Sequence, residues 1–425
     1  MSVAKQRSEN PNIRYFRDKN LMPRTWTGRK NTLRKELSHL LRKLILAPVA
    51  WVLLARGIRL VLISNPPRVG HLMAEPDWLL KKIALGEHKA IKRPIMVLPE
   101  PGRVANPEVV ALWSQHMRVI SGRWSFRILR LFKVFPRLTI NAGDGIVAIE
   151  GPADYARVLA EWGNRPPLLH LTEGQRATGE QTLEALGVPK GAWYVCLHVR
   201  EGGYSPGDEY MHAHRNADVA SYKSAVQRIA DQGGWVIRMG DATMKPLAPE
   251  GWPNTVDYAL SDVKSAAGDV FLCATARFFL GTTSGLNMVA TAFGVPCVCT
   301  NMIPHGAGIG QSPHDIAICK MLRRRDGTLL SFAEIFGSEI SLYRLADLYS
   351  EAGLKVIDNS ETEIRDVTQE MLDALAGTAT PHTSEAVAQQ DAFHALMGAE
   401  HYCYYSKSRV GQVFLAQYAE MLDGA

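Results

Sequence analysis

The sequence predicts an α/β protein built as two doubly wound, Rossmann-like domains that face each other across a cleft, with a basic N-terminal extension and C-terminal helices. Three observations predict this. The chain has 425 residues, too long for one ordinary core and short for three. In both halves short apolar runs alternate with helical patterns of about ten residues, the signature of parallel sheet with crossover helices. Between the halves, residues 163–179 are rich in Gly, Pro, Thr and charge, as a domain junction is. Hydrophobic residues make up 46% and charged residues 21%, which excludes wholesale disorder. No internal repeat or heptad array is present.

The charge is unevenly placed. Residues 1–43 carry twelve Lys and Arg against Glu9, Asp18 and Glu36, a surplus of +9 in a chain whose total is +6. An unbroken apolar run follows at 44–55, shorter than the roughly 20 residues that span a bilayer. Extending it to Ile63 takes in Arg56, Gly57 and Arg59. The basic stretch is too long for a signal peptide, and no small-residue cleavage site follows. Residues 1–57 therefore read as a basic amphipathic segment on an anionic membrane surface, peripheral on the cytoplasmic side. A solvated basic arm leading into a buried domain helix is the alternative. Nucleic acid is not an expected partner.

The first domain, 58–178, opens with an apolar run at 59–63, a turn through Arg68-Val-Gly70-His71, and a helical pattern at 73–85. Runs at 94–98 and 117–120 read as further strands and 154–162 as a helix, and 180–186, just past the junction, reads as another. The second domain, 179–380, begins with a strand at 192–198. A helix at 218–232, a strand at 235–238, a helix at 261–272 and a strand at 278–280 follow, then a helix at 285–293 and a strand at 295–299. From about 383 the chain reads as helical to its end, with 410–422 amphipathic; residues 381–425 form the last unit.

The chemistry collects at strand ends. His198-Val-Arg200-Glu-Gly-Gly places a guanidinium and exposed backbone donors at a carboxyl edge, the combination a diphosphate needs. Asp208, Glu209, Arg215 and Asn216 follow. The strand at 235–238 ends in Arg238, then Gly240 and Asp241. A third strand turns through Thr282, Thr283, Ser284 and Gly285 into a helix, whose N-terminus favours a phosphate, although a hydroxyl there is also an ordinary cap. Asp257 and Tyr258 are placed to meet a base or ribose at the same edge. On the facing domain, Arg68, Gly70 and His71 point into the cleft, and Glu75 and Asp77 follow within one helical turn as base candidates or as helix N-terminal charges.

Several classes are excluded. There is no dinucleotide G-x-G-x-x-G, no phosphate-binding G-x-x-x-x-G-K-[ST] loop and no G-x-S-x-G elbow. The six cysteines show no C-x-x-C spacing, so zinc and a disulfide framework are not expected and a reducing compartment is. His212 and His214 lack a third ligand, and no D-x-D pair is present to hold a metal against a diphosphate. Neither a metal nor a cofactor is expected.

His198-Val-Arg200, His214-Arg-Asn216, 236–240, Asp257-Tyr258 and 269–285 resemble a family of bacterial surface-carbohydrate glycosyltransferases, distantly similar to the GT-B fucosyltransferases. The resemblance covers roughly 58–375, including Arg68-Val-Gly-His71 and 356–360, and is strongest over 190–305. It implies a GT-B fold and metal-independent, inverting transfer from a nucleotide sugar to a glycan or lipid-linked hydroxyl acceptor. Arg200 would hold the β-phosphate, assisted by Thr283 and Ser284, and Asp208 or Glu209 would be the catalytic carboxylate, narrowly ahead of Glu75 and His71. The chain departs from the fucosyltransferase pattern at Glu201, which stands where a second Arg follows the first. A nucleotide-sugar epimerase of the same fold and an inactive membrane-bound scaffold are the alternatives.

Overall fold

The computed structural model describes residues 10–19, 32–146, 152–203, 206–248, 250–307 and 310–422, and only the backbone of residues 17, 32–36, 206 and 208. The chain begins with helices α1 (Pro11–Asp18) and α2 (Thr32–Ala55). The first α/β unit contains β1 (Ile58–Leu62), α3 (Val69–Ala84), β2 (Arg93–Leu98), α4 (Pro107–Ser114), β3 (Arg118–Ser121), α5 (Arg123–Leu129), β4 (Thr139–Asn141) and α6 (Asp154–Trp162). Its four strands are parallel in the order β3-β2-β1-β4.

The second unit is longer. It runs through α7 (Glu173–Ala185), β5 (Tyr194–His198), α8 (Pro206–His212), α9 (Lys223–Asp231), β6 (Trp235–Arg238), β7 (Thr255–Val256), α10 (Ala266–Thr275), β8 (Phe279–Gly281), α11 (Gly285–Ala292) and β9 (Cys297–Met302). It continues with β10 (Ile316–Cys319), β11 (Met321–Arg323), α12 (Phe332–Phe336), α13 (Ala346–Glu351), β12 (Lys355–Ile357), α14 (Glu361–Ala376), α15 (Ser384–Ala395), β13 (Arg409–Val410) and α16 (Gln412–Gln417). Seven parallel strands lie in the order β13-β10-β9-β8-β5-β6-β7, and β11 and β12 form a separate antiparallel pair. Two Rossmann-like domains thus face across a cleft, the GT-B arrangement. Strand order reverses between β1 and β4 in one sheet and between β5 and β8 in the other. Crevices at such reversals, at the carboxyl ends of the strands, are where open α/β sheets bind ligands.

The strands are apolar because helices cover both faces of the sheets: β9 is buried throughout, as is β5 but for His198. Several helices start where a side-chain oxygen takes an orphan N–H. Ser265 accepts from Gly268 N–H at the start of α10, and Ser360 with Glu363 forms a reciprocal cap on α14. A tight contact joins the domains, where the N-terminal turns of α3 and α11 meet backbone to backbone. A Cβ on Gly70 would lie 2.9 Å from Gly285 Cα, and one on Gly285 would lie 2.9 Å from Gly70 N. Within the second sheet, Gly281 has φ +152°, and a Cβ there would sit 1.9 Å from His198 O, so only glycine lets β8 approach the end of β5.

Three expectations need correction. The N-terminal segment is not a free extension. Helix α1 is docked on the second domain: Tyr15 joins a cluster with Leu322, Tyr343 and Tyr349, its hydroxyl donates to Asp347, and Arg14 pairs with Glu339 at 2.7 Å. The helix over the apolar run begins at Thr32, and its 37–55 portion is by length and composition apolar enough to cross a membrane. Residues 1–9 and 20–31 lie outside the described residues. At the other end, 410–422 is not one amphipathic helix. Arg409 and Val410 add a strand beside β10, because the backbone here completes a sheet edge, and only Gln412–Gln417 is α-helical afterwards.

Replacing Gly70 by Ala should push α3 and α11 apart. Backbone cannot yield as a side chain does, so the expected cost is about 1–3 kcal/mol. A urea titration should show a lower midpoint for Gly70→Ala and for Gly285→Ala. Gly102→Ala, where nothing lies within 4 Å of the place the added methyl would take, should leave the midpoint unchanged.

Candidate active site

The carboxyl ends of both sheets open into one cavity of about 550 Å³ between the domains. Strand β5 delivers His198 and Arg200 to it, β6 delivers Gly240 and Asp241, and the turn after β8 delivers Thr283, Ser284 and Gly285. From the first domain come Arg68, Gly70 and His71, at the first turn of α3. Eleven of the sequence-predicted residues therefore share a wall, although they lie up to 217 positions apart in the chain.

One side of the cavity is cationic. The Arg215 guanidinium donates to Thr283 O and Oγ1, both at 3.3 Å, and forms no ion pair among the described residues. Burial, then the charges of Arg200, Arg68 and Arg344, pull its pKa down to about 10. A buried guanidinium that feels three others is a site that an anion would relieve. Beside them, Ser284 caps α11 without donating or accepting a side-chain cap bond, and its Oγ is buried with no hydrogen-bond partner among the described residues. The helix N-terminus and this hydroxyl add donors to the same wall. His198 Nδ1 is likewise buried and unpartnered, and burial lowers the imidazole pKa to about 4, so the ring is neutral near pH 7.

The other side carries a histidine held by a carboxylate. Glu75 is fully buried; its Oε2 accepts Ser64 N–H at 2.8 Å, and its Oε1 accepts the Ser64 hydroxyl and His71 Nδ1 at 2.9 Å. With Nδ1 held, Nε2 is the nitrogen left for chemistry at the cavity. Such a carboxylate fixes both the ring orientation and the tautomer.

The structure separates other predicted residues from the cavity. Arg238 is only 1% exposed and lies between Glu201 at 2.7 Å and Asp257 at 2.8 Å, so both its charge and that of Asp257 are satisfied inside the domain. The departure at Glu201 thereby has a structural role. Tyr258 is buried, bonding Ser265 N and O, and braces the start of α10. Thr282 accepts Arg200 N–H at 2.8 Å and positions the backbone behind the cation. Asn216 accepts from Arg200 Nε at 3.1 Å and donates to Glu209, whose other oxygen is 3.7 Å from the Arg200 guanidinium. Glu209 is therefore engaged in orienting Arg200 rather than standing open as a base. Asp208 lies on α8, and its side chain is outside the described residues. His212 and His214 are neighbours, ring centres 6.5 Å apart, but only His212 reaches the cavity wall, and His214 packs on Tyr349 with ring centres 5.3 Å apart. Among the described residues no group of three His, Cys, Asp or Glu is placed to hold a metal ion.

Sequence reasoning missed Asn106, Lys264, Asp269 and Tyr402, all on the cavity wall. Lys264 pairs with Asp269 at 2.6 Å, and this pair leads into an adjoining, more open recess that also touches Asn106 and Ser261. Burial raises the Asp269 pKa despite the lysine. Asp269 sits in the first turn of α10, where an acid is ordinary, so no local signal set it apart. Tyr402 arrives from the C-terminal segment, whose carbonyl there also accepts Ala153 N–H of the first domain.

No protein-family model and no curated protein sequence matches the chain. Among solved structures it is similar to a family 9 glycosyl transferase from Veillonella parvula, with 10% identity, 61% of this chain and 85% of that one covered, and a TM-score of 0.39. It is similar to the ADP-heptose LPS heptosyltransferase II of E. coli at 13% identity, covering 57% and 84%, with a TM-score of 0.37. It is similar also to a UDP-GlcNAc 2-epimerase from Methanocaldococcus jannaschii at 10% identity, covering 73% and 80%, with a TM-score of 0.23. Likenesses this distant leave the chemistry to be argued from the cleft itself.

Two outcomes follow from the site. Arg215→Ala should weaken binding of a nucleoside diphosphate about 10- to 150-fold, the value of a charge-assisted hydrogen bond of about 1.5–3 kcal/mol, with the ligand-free melting temperature little changed. Calorimetric titration with UDP, GDP and ADP measures this. The second outcome concerns acid. Burial lowers His198 to about 4, His214 to about 3 and His305 to about 4, against 6.5 for an exposed ring. Depressed histidines give their full stability above pH 6.5, and it is lost as pH falls toward 4, by roughly 1.4 kcal/mol per pH unit for each ring. Asp315, raised to about 6 by burial, acts in the opposite sense, as do Asp77, Asp269 and Glu370, while His88, His116, His394 and His401, also lowered by burial, add to the three. The urea midpoint should therefore drop between pH 6.5 and 4.5, and less steeply in His214→Phe.

Proposed function

We propose that this cleft is the active site of a metal-independent, inverting glycosyltransferase that moves a sugar from a nucleoside diphosphate sugar to a hydroxyl of a glycan or lipid-linked acceptor. The observation that carries the proposal is the opposition of two chemistries across one cavity: a guanidinium cluster beside the N-terminus of α11, and a carboxylate-held histidine on α3. The diphosphate lies against Arg200, Arg215 and Ser284, and Asp269 accepts hydrogen bonds from the nucleoside toward the recess. The acceptor hydroxyl gives its proton to His71 Nε2 as its oxygen attacks the anomeric carbon. The bond from that carbon to the β-phosphate oxygen breaks, and its electron pair leaves with the nucleoside diphosphate. The arginines and helix N-terminus stabilise the charge that develops there. Glu75 stabilises the imidazolium, and Ser64 positions Glu75. Approach from the face opposite the leaving group inverts the anomeric centre. The six free, buried cysteines suit work on the cytoplasmic side, and surface polysaccharide synthesis is the process in which such a transfer serves.

The test is a survey of nucleotide sugars for diphosphate release that depends on an acceptor extract. His71→Gln should lower turnover by about 10²–10⁴-fold with donor affinity retained. Glu75→Gln should lower turnover and shift its pH profile, and chelator should leave the parent unaffected. Full turnover in His71→Gln would overturn the assignment of the base. Conversion of a nucleotide sugar to its epimer without acceptor would overturn the transferase reading, as would an absolute magnesium or manganese requirement for its metal independence.

A further inference from the structure

A second surface stands apart from the cleft. Helix α2 packs on the first domain through Leu46, Ala50, Leu53 and Leu54, which share a core cluster with Leu60 and Leu62 of β1. On its opposite side, Leu37, Leu40, Leu41, Leu44, Ile45, Trp51 and Val52 form an uncovered stripe, with Trp51 73% and Leu44 66% exposed. From Leu46 to Leu54 one side of the helix is seated on the domain and Trp51 and Val52 on the other are bare, whereas the preceding residues, 37–45, are exposed on every side. Helix α5 and the turn after it repeat the pattern. Phe126, Leu129 and Phe132 join the same cluster, whereas Trp124, Ile128 and Leu131, at i, i+4 and i+7, are exposed. Because both elements cover one face of the same sheet, their bare stripes look outward on the same side.

The surroundings identify what covers them. Residues 118–137 contain six Lys and Arg and no Asp or Glu. Arg123, Arg127, Arg130 and Lys133 are exposed, and none of them forms an ion pair among the described residues. The Arg127 and Arg123 guanidiniums lie 5.4 and 6.0 Å from the Trp124 ring. An exposed indole bordered by cations fits the boundary between acyl chains and anionic headgroups, where an aromatic ring keeps one edge wet. Arg42 and Lys43 precede Leu46 and Ala50 at helical spacing, on the side toward the domain. With Leu46, Ala50, Leu53 and Leu54 seated on protein, the second half of α2 has only one face to give to lipid, and Arg42 and Lys43 mark the polar side of its exposed first half.

We infer that α2 and α5 together form one docking face for an anionic bilayer, with α2 lying in the plane of the membrane rather than across it. The inference is independent of the reading of the cleft. It extends the membrane-surface expectation to an element with no exceptional hydrophobic run, and it adds a second anchor on the folded domain itself. Each cation near such a surface adds about fivefold to partitioning at low salt, the equivalent of about 1 kcal/mol.

Flotation of the full-length protein with phosphatidylcholine vesicles, with and without phosphatidylglycerol, tests this. The parent should float with the anionic vesicles, leave them at high salt, and bind neutral ones poorly. Trp124→Glu with Ile128→Glu should weaken binding about tenfold although α2 is untouched, and Leu40→Glu with Leu44→Glu should do the same. All four positions are exposed, and unchanged thermal unfolding confirms that each variant folds. Parent-like binding by the Trp124/Ile128 variant would overturn the shared face. Three other results would overturn the inference as well: failure of the parent to bind, retention through alkaline carbonate, or a dimer that these substitutions dissociate without any vesicle binding.

Discussion

Gly70 and Gly285 touch through bare backbone, and the geometry of the cleft depends on that contact. Any larger residue at either place would hold α3 and α11 apart by the width of a side chain. As it is, the first turns of two helices from different domains lie side by side, and both present N–H groups to the same space. Two helix N-termini carry partial positive charge, and the guanidiniums of Arg68, Arg200 and Arg215 stand around them. Positive charge gathered in a half-buried space is costly without an anion. The fold tolerates it because a contiguous core runs through both domains and supplies the offsetting stability.

Charge around the cleft is arranged in two tiers. Behind the wall, cations and carboxylates are matched: Arg238 with Glu201 and Asp257, and Lys81 with Asp77 at 2.6 Å. At the wall, Arg215 meets only neutral oxygens among the described residues, and Arg200 is oriented by Asn216 and Glu209. Buried pairs in the first tier leave little net charge to attract a ligand. The field that a ligand would feel therefore comes from the second tier, whose direction is set by the first.

The fold was legible because both sheets are parallel and covered, so their strands appear as apolar runs separated by helical patterns. Strand ends were legible too, and the residues following β5 and β8 and those opening α3 do reach one cavity. What the sequence could not show is which way each side chain turns there. Arg238 and Arg200 follow similar apolar strands, yet Arg238 is the last residue of its strand and turns inward to Glu201. Arg200 lies two residues past its strand, where Thr282 fixes the backbone and the side chain reaches the cavity. Glu75 reads equally as a base candidate and as a helix-stabilising acid, and its hydrogen bonds to Ser64 and His71 give it a third role, holding the imidazole. Contacts remote in sequence were invisible: nothing near Tyr15 announces Asp347, 332 positions away. The exposed stripe of α5 was hidden for a different reason, since its inward stripe is equally apolar and the two together resemble an ordinary core helix.

The seat of α1 changes what an N-terminal truncation would mean. Cutting away the first forty-three residues is the simplest way to ask what a basic leader contributes. Here the cut would also withdraw Tyr15 from the cluster around Tyr343 and Tyr349, break the Arg14–Glu339 pair, and remove the Asn12 oxygen that accepts Arg344 N–H. Arg344 is one of the cations that depress Arg215. A shortened chain would thus carry a wound on the far domain and a loosened support behind its cation cluster. Charge reversal at single leader positions other than Arg14 and Lys19, which pair with Glu339 and Glu351, leaves that seat intact and separates the electrostatics of the segment from its role as a cover.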